Sequence, residues 1–297
     1  MLLPPATYFL YSLALFPSMP LRKQPDWRPA AKAALAVLGL LFLSLLALVL
    51  VGGTFQGGKI GTVKVRGELT VDGMDDYISH SPGVRETIEL IKKAGEDPDV
   101  SVILIDINSG GGTIVASKEL MRAVRSAEKP VVAYINELGA SGAYYAASAA
   151  DEIIADEDSL TGSIGAVSQV DNYAGLMEKL GLNVSMVASG EYKSMASPFD
   201  EFTGEERALL QEIVDGAYGA FRADILKNRP SLDAERLDAV SDGRLLSGRQ
   251  ALEAGLVDHT GSRELALERA AVGVRSRVLQ LPCHLGVLCL LSAAPHA

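Results

Sequence analysis

Two short glycine-flanked segments hold the residues of this chain best suited to nucleophilic chemistry. They are IDINSGGGT (105–113) and NELGASGAYYAASAAD (136–151). Glycines between a strand and a helix expose backbone N–H groups, which suits an anion. Neither segment spells GxxxxGK[ST] or GxGxxG, so a phosphate loop has little support. In the second segment Ser141 lies between Ala140 and Gly142 at a strand-to-helix turn. Such a turn exposes a nucleophile and aims the following N–H groups at the substrate. Taken alone, a serine in that setting more often caps a helix. A nucleophile also needs a base. The four histidines (His80, His259, His284, His296) are scattered, and only Asp258 stands ready to orient His259. A Ser-His-Asp triad therefore stays open but without local support. A lysine serves as base when burial depresses its pKa. Lys193, in SGEYKSMASPFDEF (189–202), has Tyr192, Met195, Pro198 and Phe199 as apolar neighbours in sequence. They predict an enclosed amine, although a loop lysine more often faces solvent.

The elements that must position these residues follow from periodicity. Ile60–Val65 reads as a strand, and Gly83–Ala94 as a helix announced by Ser81-Pro82. SVILIDI (101–107) is a short β-rich run fit for a buried strand. Ile114–Ala127 is a helix stopped before Pro130, and VVAYI (131–135) is the next strand. Ala143–Ala150 is a small-residue helix, and EIIA (152–155) a short strand. A longer helix spans Gly204 to about Lys227, with Thr203 as its cap, and residues 247–257 form a capped short helix and turn. Strands and helices alternating at these intervals predict an α/β fold with a parallel or mixed sheet.

Composition narrows the function classes. Of 297 residues, 48% are hydrophobic and 22% charged, which excludes disorder for most of the chain. Residues 1–58 hold four bases and one acid, whereas residues 59–271 hold 21 bases against 36 acids. An acidic body makes nucleic acid an unsuitable partner. Both cysteines, Cys283 and Cys289, lie in the last 15 residues, and the histidines lack ligand spacing, so no metal site is expected. Ala33 to Gly58 carries no charge, and the bases Arg22, Lys23, Arg28 and Lys32 precede it. This predicts a transmembrane helix over 33–53, with the N-terminus (1–32) cytoplasmic and the body extracytoplasmic. A cleaved signal peptide is the alternative, given the small residues Val51-Gly52-Gly53. Met19, followed by its own basic stretch, reads as a possible true start. Residues 54–59 read as a linker, 60–271 as the main domain and 272–297 as an atypical apolar tail.

Several segments, in order, resemble the signal peptide peptidase A family of membrane-anchored Ser-Lys serine proteases. They are INSGGGTIVASKEL, KPVVAYINELGASGAYYAASAADEIIAD, LTGSIGAV (160–167), GEYKSMASPFDEFTGEERALLQEIVD (190–215) and DGRLLSGRQALEAGLVD (242–258). The resemblance covers roughly residues 60–265. It implies Ser141 as nucleophile, Lys193 as general base and Ser163 as the residue that orients the lysine amine. It implies an oxyanion hole from Gly111 or Gly112 together with Gly142, and a Clp protease/crotonase-like spiral of strands and helices. It implies no cofactor, hydrophobic peptide substrates such as cleaved signal peptides, and a homo-oligomeric ring whose lysine comes from a neighbouring subunit. Gly110 stands where the family has proline, and Asp200 where it often has arginine. Two other readings remain. One is a crotonase-type acyl-CoA hydrolase or isomerase, which needs neither anchor nor Ser-Lys pair. The other is a non-catalytic membrane-tethered scaffold for a stomatin-like partner.

Overall fold

In the computed structural model the described residues are 28–52, 58–75, 80, 81 and 83–279. The proposed start at Met19, the linker residues 54–57, Pro82, and the tail from 280 with both cysteines lie outside them. The chain divides into two units at Gln56/Gly57. The first contains α1 (Arg28–Gly52). Among the described residues no helix is long and apolar enough to cross a membrane. The side chains of 45–52, the second half of the expected span, are not among those described.

In the second unit the elements run β1 (Lys59–Leu69), β2 (Met74–Asp75), β3 (His80–Ser81), α2 (Val84–Glu96), β4 (Val100–Gly112), α3 (Ile114–Arg125), β5 (Val131–Ala140) and α4 (Gly142–Ala147). They continue as β6 (Glu152–Ala155), β7 (Leu160–Gly162), α5 (Ala174–Lys179), α6 (Gly204–Asn228), α7 (Ala234–Asp238), β8 (Leu245–Ser247), α8 (Gly248–Ala254), β9 (His259–Thr260) and α9 (Arg263–Leu279). The main sheet is mixed. Strands β1-β4-β5-β6-β9 pair in parallel, β7 pairs in parallel with the end of β5, and β8 runs antiparallel to β7.

The run SVILIDI is mostly apolar because both faces of β4 are covered. Ile103, Ile105 and Ile107 join the larger core with Leu120 and Met121 of α3 and the alanines of α4. Val102 and Leu104 point the other way, against Ala266 and Ala270 of α9. On that second face Asp106 is buried, and Arg66 and Arg263 both reach its carboxylate. The structure extends β4 and β5 beyond the apolar runs and into the glycine segments, since Gly111 and Gly112 still pair with Glu68 and Leu69, and Ser109 with Gly139. Register shifts at those places mark bulges that bend the strand ends. The caps of the later helices follow the sequence. Thr203 and Glu206 close a capping box on α6, and Ser247 and Gln250 close one on α8.

A second ion pair joins a buried arginine to a half-buried carboxylate. Arg229, 6% exposed at the end of α6, reaches Asp258, which also accepts the Ile153 N–H of β6. Asp258→Ala strands a buried guanidinium, so urea unfolding should show a loss of about 3 kcal/mol. Asp99→Ala, which breaks the solvent-exposed Lys59–Asp99 pair, should leave the same midpoint almost unmoved.

Candidate active site

Three strand ends build one site. In open α/β sheets ligands gather beyond the carboxyl ends of parallel strands. Here β4 ends in Gly111-Gly112, β5 in Ala140 followed by Ser141, and β7 in Gly162 followed by Ser163. Ala140 pairs with Gly162 as the last rung between β5 and β7. The two serines therefore leave the sheet side by side. Each is tied at its backbone: Ser141 N–H donates to Gly162 O at 2.8 Å, and Ser163 N–H donates to Arg244 O at 2.8 Å.

Both serines hold backbone conformations that side-chain-bearing residues seldom adopt, Ser141 at φ 51° and ψ −123°, Ser163 at φ 48°. Strain of this kind costs on the order of 1–3 kcal/mol and persists only when the surroundings fix it. Ser141 precedes α4, yet its side chain makes no cap hydrogen bond to the helix. The ordinary explanation of a serine in this turn, a cap, is thereby removed.

The glycines beside Ser141 are demanded by close approach. A Cβ on Gly111, at φ 98°, would stand 2.5 Å from Gly142 N and 3.0 Å from Ser141 Cβ. A Cβ on Gly142 would meet Ser117 Oγ at 1.9 Å. The N–H of Gly111 donates to Ser109 Oγ at 3.2 Å and is thus engaged, whereas Gly112 and Gly142 line the cavity next to Ser141.

That cavity holds about 310 Å³. Ser141, Ser163, Gly112 and Gly142 lie on its wall, together with Ile114, Ser117, Tyr145, Ala217 and Phe221. Tyr145 stacks on Phe221 with centroids 4.3 Å apart, and its hydroxyl donates to Asp224. Burial, then the Asp224 hydrogen bond, pushes that hydroxyl well above the ordinary tyrosine range. The result is a hollow of mixed lining, apolar at Ile114, Val167, Ala217 and Phe221 and polar at its serines, beside a strained serine. Sequence reading did not single out Tyr145, Ala217 or Phe221. The signal available was the i, i+4, i+8 row Ala217, Phe221, Ile225 along α6.

Lys193 is placed differently from expectation. It sits in a turn between α5 and α6, is exposed, and does not line the cavity of its own chain. Its apolar neighbours do not enclose it, because Tyr192 and Phe199 are themselves 40% and 37% exposed. His259 is also away from the cavity, in β9, where its Nε2 lies 3.0 Å from Glu152. Among the described residues no group of histidine, cysteine and carboxylate side chains is arranged to hold a metal.

The sequence profile of peptidase family S49 matches residues 123–277, more than half of the chain. The chain belongs to peptidase family S49, the signal peptide peptidase A family. As an S49 peptidase it is 36% identical over 220 residues to a putative protease of Methanocaldococcus jannaschii, covering 72% of this chain and 70% of that one. It is 35% identical to a putative signal peptide peptidase of Enterococcus faecium, covering 71% of this chain and 62% of that one. A chloroplastic serine protease of Arabidopsis thaliana is 32% identical over 73% of this chain, but this chain spans only 32% of that longer protein.

Proposed function

We propose that this S49 peptidase is a membrane-anchored serine endopeptidase with a Ser-Lys dyad, folded as a Clp protease/crotonase-like spiral. The observation that carries the reading is Ser141, uncapped and strained on the wall of a cavity that is partly apolar. Its Oγ attacks the peptide carbonyl while its proton passes to the Lys193 amine. The tetrahedral oxyanion lies toward the N–H groups of Gly112 and Gly142, where fixed donors stabilise the charge as it develops. Gly111, with its N–H already engaged, shapes the turn rather than donating. When the intermediate collapses, the amine returns its proton to the leaving nitrogen, and water then releases the acyl group from Ser141 by the reverse sequence. Ser163, adjacent to Ser141 in register, holds the amine in line. No cofactor takes part.

The exposure of Lys193 favours a dyad shared between copies in a ring, with the lysine of one subunit entering its neighbour's cavity. The substrates are cleaved signal peptides or other hydrophobic peptides, in keeping with a wall of Ile114, Val167, Ala217 and Phe221. The charge-free run 33–58 anchors the chain, and the preceding bases keep the N-terminus cytoplasmic, which puts residues 60–271 outside the cytoplasm. The test uses detergent-solubilised full-length protein and two synthetic peptides of equal length, one with an apolar signal-type core and one wholly polar. Internal cleavage of the apolar peptide at least about tenfold faster supports the reading. Equal rates would remove the hydrophobic preference.

A further inference from the structure

The stretch that carries Lys193 packs only partly within its own chain, for no residue from 165 to 220 is fully buried. Hydrogen bonds add to what holds it. Tyr173 N–H donates to Pro198 O at 2.6 Å and the Asn172 side chain to Asp200 O at 2.7 Å. These join parts of the loop to each other. A third bond ties the loop to a regular element: the hydroxyl of Tyr192, the residue next to Lys193, donates to Glu205 Oε1 at 2.6 Å. Glu205 lies in the first turn of α6, and the capping box of Thr203 and Glu206 makes that turn rigid.

We infer that Tyr192 is a positioning residue, whose hydrogen bond to Glu205 docks the Lys193 turn on the capped start of α6 and so sets where the amine is presented. The proposal rests on the reading of Lys193 as general base. An aromatic ring suits the task because only two torsions must be fixed, while the lysine stem beside it has four. The bond to Glu205, then partial desolvation and the neighbouring carboxylates Glu191 and Glu206, push the Tyr192 hydroxyl up to about 12. The donor proton therefore stays in place well into alkaline solution. Tyr192 is 40% exposed, so the tether orders a loop rather than completing a core.

The experiment measures kcat and KM for an internally quenched apolar peptide, with full-length protein in detergent and the oligomeric state checked by size exclusion. Tyr192→Phe should lower kcat about tenfold with KM within about twofold, because a misplaced base slows chemistry more than binding. Glu205→Gln still offers a carbonyl oxygen and should stay within about threefold of wild type. Glu205→Leu should match Tyr192→Phe, and the double variant Tyr192→Phe/Glu205→Leu should fall no further. Wild-type kcat in Tyr192→Phe, additive losses in the double variant, a loss confined to KM, or dissociation of the oligomer would each overturn the tether. Lys193→Ala is run in parallel. If it is inactive while Tyr192→Phe is unimpaired, the tether fails and the base stands; if it stays active, the reading of Lys193 itself fails.

Discussion

Mixing Ser141→Ala subunits with Lys193→Ala subunits is expected to restore peptide cleavage that neither variant shows alone. The reason is positional. Ser141 and Ser163 line the cavity, whereas Lys193 is exposed, on a stretch without a fully buried residue. A lysine supplied by the next copy brings the two halves together, and a closed ring lets every subunit both give and receive. In an equal random mixture about a quarter of the sites would join an intact serine to an intact lysine. Lys193→Arg should fail as completely as Lys193→Ala when measured alone, because a guanidinium stays protonated and accepts no proton. Subunit exchange is verified by mass before activity is read. No recovery in verified mixed oligomers would put both members of the dyad in one chain.

Gly142→Ala should damage both stability and activity, and by a route that can be reversed. The added Cβ would stand 1.9 Å from Ser117 Oγ and 2.8 Å from Ser117 Cβ. Ser117 has little room to yield, being buried in α3 with its hydroxyl donated to Thr113 O. Helix α3 must then move away from α4, at a cost of about 1–3 kcal/mol. A shift of that kind carries the Gly142 N–H away from the oxyanion position, and kcat should fall about a hundredfold. Ser117→Gly removes both clashing atoms. The double variant Gly142→Ala/Ser117→Gly should recover most of the activity, less about 1 kcal/mol of stability for a glycine inside a helix. Gly111→Ala has no such remedy, since its clash is with the backbone nitrogen of Gly142 at 2.5 Å and its φ of 98° disfavours any side chain. A Gly142→Ala protein with wild-type kcat would show that the spacing of α3 and α4 does not govern the site.

The parts of this account legible in sequence are those with local signatures. The two runs 101–107 and 131–135 read as strands because they are short and β-rich, and both proved to be central strands of the sheet. The Thr203 cap was visible from the acids that follow it. The ends of β4 and β5 were not, because their glycines read as turns, whereas pairing with β1 and with each other draws them into the sheet. Strands β7, β8 and β9 are three residues or fewer and have no period to detect. Yet β7 is what delivers Ser163 to Ser141, a consequence of the Ala140–Gly162 rung rather than of any pattern in LTGSIG. Helix α9 escaped for another reason: it packs through Ala266 and Ala270, too small to form an apolar stripe. Within its own chain Lys193 is exposed, because neighbours in sequence are not neighbours in packing, and Tyr192 and Phe199 are themselves partly open to solvent.

The central claim is that Ser141 is the nucleophile, and the most direct measurement is kcat/KM of Ser141→Ala on an internally quenched apolar peptide, at unchanged oligomeric state and melting temperature. The account predicts a fall of at least about a thousandfold, to the background left by binding and oxyanion donors alone. Because alanine and serine both carry a Cβ and share the strain at φ 51°, a stability change should not cloud the result. Cleavage by Ser141→Ala within tenfold of the wild type would contradict the account and return the search for a nucleophile to the other serines of the cavity, Ser117 and Ser163.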